Sequence, residues 1–103
     1  MNQQSLMKKV RQMQQEMTAA QQEIEQAEFK TNCGPVTIVM FGSKELKSVS
    51  IDPSFEVTSK EDLEMLGDMV VAANHQAIQE IDKYTNEKMA KYQAFLGGMG
   101  SLF

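Results

Sequence analysis

Few residues of this chain have the chemistry needed for catalysis. The one histidine, His75, and the one cysteine, Cys33, are far apart in the sequence, and neither has another His or Cys at the short spacing typical of a metal site. A histidine between polar neighbours on a helix is ordinarily a surface residue, and a thiol beside a turn is ordinarily a small strand residue. We therefore expect no catalytic residue, no metal site, no cofactor and no enzyme activity.

Two further patterns that could bind ligands have simpler explanations. The glycines of residues 97–100 neither follow a strand nor precede a Lys-Ser or Lys-Thr pair, which argues against a phosphate-binding loop. Glu61, Asp62 and Glu64 stand at the start of a predicted helix, where the helix dipole favours carboxylates. Neither pattern indicates a ligand.

Positive charge is concentrated in two segments, so phosphate binding is the chemistry to consider. The basic residues of these segments are Lys8, Lys9, Arg11, Lys83, Lys88 and Lys91. The whole chain is acidic, with a formal net charge of −4, so any nucleic-acid contact must be local. The helix dipole disfavours cations at a helix N-terminus, so helix stability does not explain the first group. Two interpretations stay open, namely solvated surface charges and a contact with phosphate.

The first basic group lies near the start of a long predicted helix. Apolar residues alternate at intervals of four and three without an intervening Gly or Pro, at Leu6, Val10, Met13, Met17, Ala20, Ile24 and Ala27. This heptad seam predicts a helix over residues 1–28. Its apolar stripe is narrow, so the helix must pack against another helix.

Residues 29–52 are predicted to form a three-stranded antiparallel sheet. Side-chain types alternate with a period of two up to the turn at Gly34-Pro35, which predicts a first strand. The apolar segment Val36–Phe41 predicts a second strand, and a third strand over Leu46–Ile51 ends at Asp52-Pro53. We expect the protomer core or a dimer interface to contain Val36, Ile38, Met40, Val49, Ile51 and Val70.

A second helix is predicted over residues 59–95. Ser59 and Asp62 have the spacing of a capping box, and apolar residues then recur at helical intervals from Leu63 to Tyr92. The tail, residues 96–103, is expected to be flexible, with Leu102 and Phe103 as a docking anchor. If the two helices are antiparallel, both basic groups lie at one tip, away from the sheet.

These elements make one α+β domain over residues 1–103 in the order α-β-β-β-α. A chain of this length with long helices buries little apolar surface alone, so we expect a homodimer. No secretory signal or membrane-spanning segment is visible, so we expect a cytoplasmic protein with no membrane partner.

Two segments resemble the YbaB/EbfC family of bacterial nucleoid-associated proteins. They are VSIDPSF at residues 49–55 and SKEDLEMLGDMVVAANHQAIQEI at residues 59–81. The Met- and Gln-rich first helix and the glycine-rich ending are similar as well. The resemblance implies a tweezer-shaped homodimer that is associated with the nucleoid. Its helices would bind DNA with little sequence preference.

The resemblance, taken together with the charge pattern, leads to two candidate functions. In the first, a homodimer contacts duplex DNA phosphates weakly through the six basic residues named above. In the alternative, the chain is a non-enzymatic, coiled-coil-like adaptor for a protein partner in recombination or replication.

Overall fold

The chain folds into two long helices joined by a small sheet. The structure, a computed structural model, describes residues 2–100, with the side chains of residues 96 and 98–100 left aside. Its elements are α1 (Gln3–Gln26), β1 (Glu28–Cys33), β2 (Val36–Phe41), β3 (Leu46–Ile51) and α2 (Lys60–Gly100). The three strands form one antiparallel sheet in the order β1-β2-β3. The predicted α+β class and element order are therefore confirmed.

The body of the molecule is the sheet together with the first half of α2. Val36, Ile38 and Met40 alternate along β2 and are fully buried, because α2 packs over β1 and β2 on this face of the sheet. The small residue Ala73 lets the helix approach closely, and its carbonyl oxygen accepts a hydrogen bond of 2.8 Å from the hydroxyl of Thr31, which is also buried. The side chains between this face of the sheet and α2 form the core of the protomer.

The second half of α2 packs against α1, and we call this helix pair the prong. Ala20 and Ile24 of α1 are buried with Met89 and Tyr92 of α2, and Met13, Met17 and Tyr84 pack around them. Every residue of the predicted heptad seam from Leu6 to Ala27 is buried or half-buried. The prong makes the molecule elongated, with extents of 72 × 22 × 14 Å.

The turn between β2 and β3 joins the prong to the body. The amide of Gly42 donates to the carbonyl oxygen of Ala27 at 2.9 Å, and the amide of Ser43 donates to that of Glu25 at 3.3 Å. Lys44 extends the junction to α2 through an ion pair with Asp82 at 3.0 Å. The direction of α1 relative to the sheet is thus fixed by hydrogen bonds as well as by the seam.

Two differences from the sequence prediction concern α2. The helix continues to Gly100 instead of ending at residue 95, because glycine weakens a helix without ending it. Residues 101–103, with the predicted anchor Leu102 and Phe103, lie outside the described residues. Leu63, which belongs to the predicted apolar stripe, is 59% exposed because no element within residues 2–100 packs over its side of α2.

Candidate nucleic-acid interface

The first basic group lies near the free end of the prong. Asn2 caps α1, because its side-chain oxygen accepts a hydrogen bond of 2.8 Å from the amide of Ser5. Lys8, Lys9 and Arg11 are all exposed and all lie off the buried seam. At about 100° per residue, Lys8 and Arg11 share the side of α1 opposite the seam, whereas Lys9 lies on a flank. The fold therefore presents these cations to solvent without using them in packing.

Lys88, by contrast, lies inside the prong. Its ammonium group is 2.9 Å from the carboxylate of Glu23 and 3.4 Å from the hydroxyl of Tyr84. Its side chain is only 26% exposed. The hydrogen bond to Glu23 raises the pKa of Lys88 above its usual value, and the bond to Tyr84 adds to this shift. Lys88 thus links the two helices of the prong.

The other two lysines of the second group point in different directions. Lys83 and Lys91 are exposed, and the ammonium group of Lys91 lies 4.9 Å from the ring centroid of Tyr92. From their spacing, Lys83 faces away from the prong seam and Lys91 lies on its flank. Within residues 2–95, neither of them forms a salt bridge.

The two basic groups lie at different heights along the prong. The contact between Lys88 and Glu23 places that part of α2 fifteen residues from Lys8, or about 22 Å along α1. The structure therefore brings Lys8 and Arg11 together on one side of α1. It does not gather all six cations at the tip.

The body also has exposed apolar residues on β3 and on the first half of α2, which together we call the open apolar face. Val49 and Ile51 pair with Ile38 and Val36, so they project to the same side as the core, yet they are 45% and 47% exposed. On α2, Leu63 and Val71 are 59% and 67% exposed, and nothing lies within 4 Å of the Cβ position of Gly67 between them. These three α2 positions recur every four residues and so lie on one side of the helix.

The six residues predicted for the core or a dimer interface thus separate into groups. Val36, Ile38 and Met40 are buried within the protomer, and Val70 packs against them half-buried. Val49 and Ile51 belong to the open apolar face. Gly67 and Val71 were not predicted as part of an interface, although they follow Leu63 at intervals of four residues.

The remaining reactive side chains have ordinary surroundings. His75 is exposed and lies 3.2 Å from the amide nitrogen of Gln79 in the next turn of α2. Cys33 is half-buried beside the β1–β2 turn. Within the described residues, no three His, Cys, Asp or Glu side chains are placed to hold a metal ion. The same part of the chain has no helix long and apolar enough to cross a membrane.

Comparison with known proteins gives one consistent result. The model of the YbaB/EbfC DNA-binding family matches residues 1–96. A nucleoid-associated protein of Ruminiclostridium cellulolyticum is 36% identical over 104 residues, covering 99% of this chain and 89% of that protein. One from Saccharopolyspora erythraea is 40% identical over 99 residues, covering 94% and 84%. The crystal structure of an uncharacterized Helicobacter pylori protein has the same fold, with a TM-score of 0.67 at 18% identity, covering 92% of this chain and 98% of that one.

Proposed function

The chain belongs to the YbaB/EbfC DNA-binding family, and from this premise we propose that it binds duplex DNA as a homodimer. The prongs contact phosphates with little sequence specificity. The observation that carries this proposal is the position of Lys8, Lys9 and Arg11. They are exposed near the end of the prong, with no acid in residues 1–15.

Lys83 and Lys91 are secondary contacts in this proposal, because they are exposed but closer to the body. Lys88 has a different part, since its ammonium group is held by Glu23 within the prong. It supports the interface by joining the helices. A relative's name places it at the nucleoid, and DNA binding would place this chain there too.

Charge reversal near the prong end tests the proposal. Changing Lys8, Lys9 and Arg11 to Glu should leave the fold intact, because all three side chains are exposed and off the seam. Affinity for every duplex sequence should fall strongly, because phosphate contacts position a protein without reading bases. The measurement is fluorescence anisotropy with random duplex DNA, with circular dichroism as the check on folding.

A matched control reverses three exposed lysines of the body, Lys30, Lys47 and Lys60, and so changes the net charge equally. This control should bind much better than the prong variant. For the parent, the logarithm of affinity should fall with the logarithm of salt concentration with a slope of roughly −3 to −5, at about −0.9 per phosphate for three to six contacts. Parent protein that fails to bind even at low salt would contradict DNA binding and favour the adaptor function.

The second part of the proposal is the homodimer, formed through the open apolar face. Several exposed large apolar side chains on β3 and α2 support an interaction site at the body. In the dimer, α2 of the partner covers Val49 and Ile51, which the protomer's own α2 leaves exposed. Gly67 permits close approach of the two α2 helices, because no side chain stands between Leu63 and Val71. The two prongs then project from one shared body.

The dimer is tested by changing Leu63 and Val71 together to Gln. Both side chains are exposed in the protomer, so the variant should keep its helical content and sediment as a monomer. The control is Met7→Gln, which changes an apolar side chain of similar exposure (48%) on the prong and should stay dimeric. Ile38→Asp is unsuitable because Ile38 is buried within the protomer. A folded dimer for the double variant would contradict this interface.

A further inference from the structure

The side of α1 that faces away from α2 has no carboxylate over most of its length. We call this surface the outward stripe; its residues, spaced by three or four, are Gln4, Lys8, Arg11, Gln15, Ala19, Gln22 and Gln26. All are exposed, and at about 100° per residue they lie within about 40° of the direction opposite the seam. The acids of α1, Glu16, Glu23 and Glu25, lie on its flanks, about 80° to 100° away.

The amides in the middle of the stripe are available to a ligand. A shallow, open groove of about 410 Å³ lies on this part of α1, and its lining includes Arg11, Gln14, Gln15 and Gln22. Gln12, on the edge of the stripe, donates to Glu16 at 3.5 Å. In the part of the chain that the structure describes, the side chains of Gln15 and Gln22 make no such hydrogen bond. Their donors and acceptors therefore face solvent.

The charge and dimensions of the stripe fit duplex DNA. The chain has 14 acidic and 10 basic residues, yet this surface has two cations and no acid, so it does not repel phosphate. It extends about 33 Å from Gln4 to Gln26, close to one turn of duplex DNA at about 34 to 36 Å. A helix about 10 to 12 Å wide enters a major groove about 12 Å wide.

We propose that α1 lies in the major groove with its outward stripe toward the base pairs, and that Gln15 and Gln22 hydrogen-bond to base edges. This inference rests on the proposed function, because it extends the DNA contact from the cations near the prong end along the helix. Gln pairs bidentately with adenine through its N6 and N7 atoms, so the two amides give a modest preference for A·T pairs. The two amides lie about 10 Å apart along the helix, or about three base pairs.

The test is the double variant Gln15→Ala with Gln22→Ala. Its affinity for A·T-rich duplex should fall roughly tenfold, whereas its affinity for G·C-rich duplex should change little. Its salt slope should equal that of the parent, because neutral amides displace no counterions. The control is Gln21→Ala with Gln76→Ala, two exposed amides outside that groove, of which Gln21 lies on the same helix, rotated by about 100° from Gln22. This control should bind both duplexes like the parent.

The outcomes separate the inference from the function on which it rests. If the parent binds and the cation variant does not, while Gln15→Ala with Gln22→Ala binds like the parent, the stripe proposal is overturned and phosphate binding stands. An equal loss on both duplexes, or the same loss in the Gln21 and Gln76 control, also overturns the base-edge contact. If the parent binds neither duplex, the proposed function itself is overturned.

Discussion

Gly42 is the position where one added methyl group should disturb the junction between the prong and the body. A Cβ atom at Gly42 would lie 1.7 Å from the carbonyl oxygen of Ile24 and 2.6 Å from its carbonyl carbon. Because ordinary contact begins at 3.4 Å, the turn and α1 must separate by about 1.7 Å in Gly42→Ala. The atoms in conflict belong to the backbone, so no rotamer change relieves the contact.

The cost can be worked from the contacts that this separation breaks. The hydrogen bonds from Gly42 to Ala27 and from Ser43 to Glu25 contribute about 1 kcal/mol each. Strain from the extra methyl group adds about 1 to 3 kcal/mol. If α1 instead pivots at Ala27, a shift of about 1.7 Å at Ile24 turns the helix by roughly 20° and moves Lys8 by about 10 Å. That rotation would break the seam.

Either response should lower the free energy of unfolding by about 3 to 5 kcal/mol. The measurement is urea unfolding followed by far-UV circular dichroism at one fixed protein concentration, because the stability of a dimer depends on concentration. The control is Gly97→Ala, where nothing lies within 4 Å of the added Cβ, so stability should stay the same or rise by up to about 1 kcal/mol. An unchanged urea midpoint for Gly42→Ala would refute this account of the turn.

Three further predictions concern single contacts, and urea unfolding measures each of them. Ser59→Ala should destabilise the protein by about 1 kcal/mol, because the Ser59 hydroxyl caps α2 by accepting from the amide of Asp62 at 3.2 Å. Thr31→Val should cost about 1 kcal/mol, because it removes the buried hydrogen bond to Ala73. Hydrogen bonds from Thr58 lower the pKa of Asp62 below 3.8. The stability that Asp62 contributes should therefore be complete above pH 3.8 and be lost as pH falls through its lower folded pKa, a loss that Asp62→Asn should not show.

Local periodicity was enough to predict the elements and the prong. The seam of α1 follows a strict heptad pattern, and each predicted position from Leu6 to Ala27 is buried or half-buried. Val36, Ile38 and Met40, which were predicted for the core, likewise alternate along β2 and are all buried. Such patterns are predictable because a regular backbone gives each spacing a fixed direction.

Contacts between distant segments could not be predicted in this way. Lys88 and Glu23 are far apart in the sequence, and only the antiparallel register of α1 and α2 brings them together. Lys88 was therefore grouped with the candidate phosphate contacts, although its ammonium group is paired with Glu23. Leu63 has the right spacing for the core, but spacing does not tell whether the protomer or a partner covers it. The sequence could not distinguish burial within the protomer from burial at an interface with a partner.

The charge distribution also constrains how the proposed dimer meets DNA. Two chains carry a formal charge of about −8, so DNA and the dimer repel one another at long range. At 0.1 M salt this repulsion is screened beyond about 10 Å, whereas the exposed cations of the prong attract phosphate at shorter distances. Salt therefore weakens the contacts of Lys8 and Arg11, but it also weakens the repulsion from the acidic body. The affinity should thus rise less steeply at very low salt than at moderate salt, which distinguishes a local contact from a surface that is basic throughout.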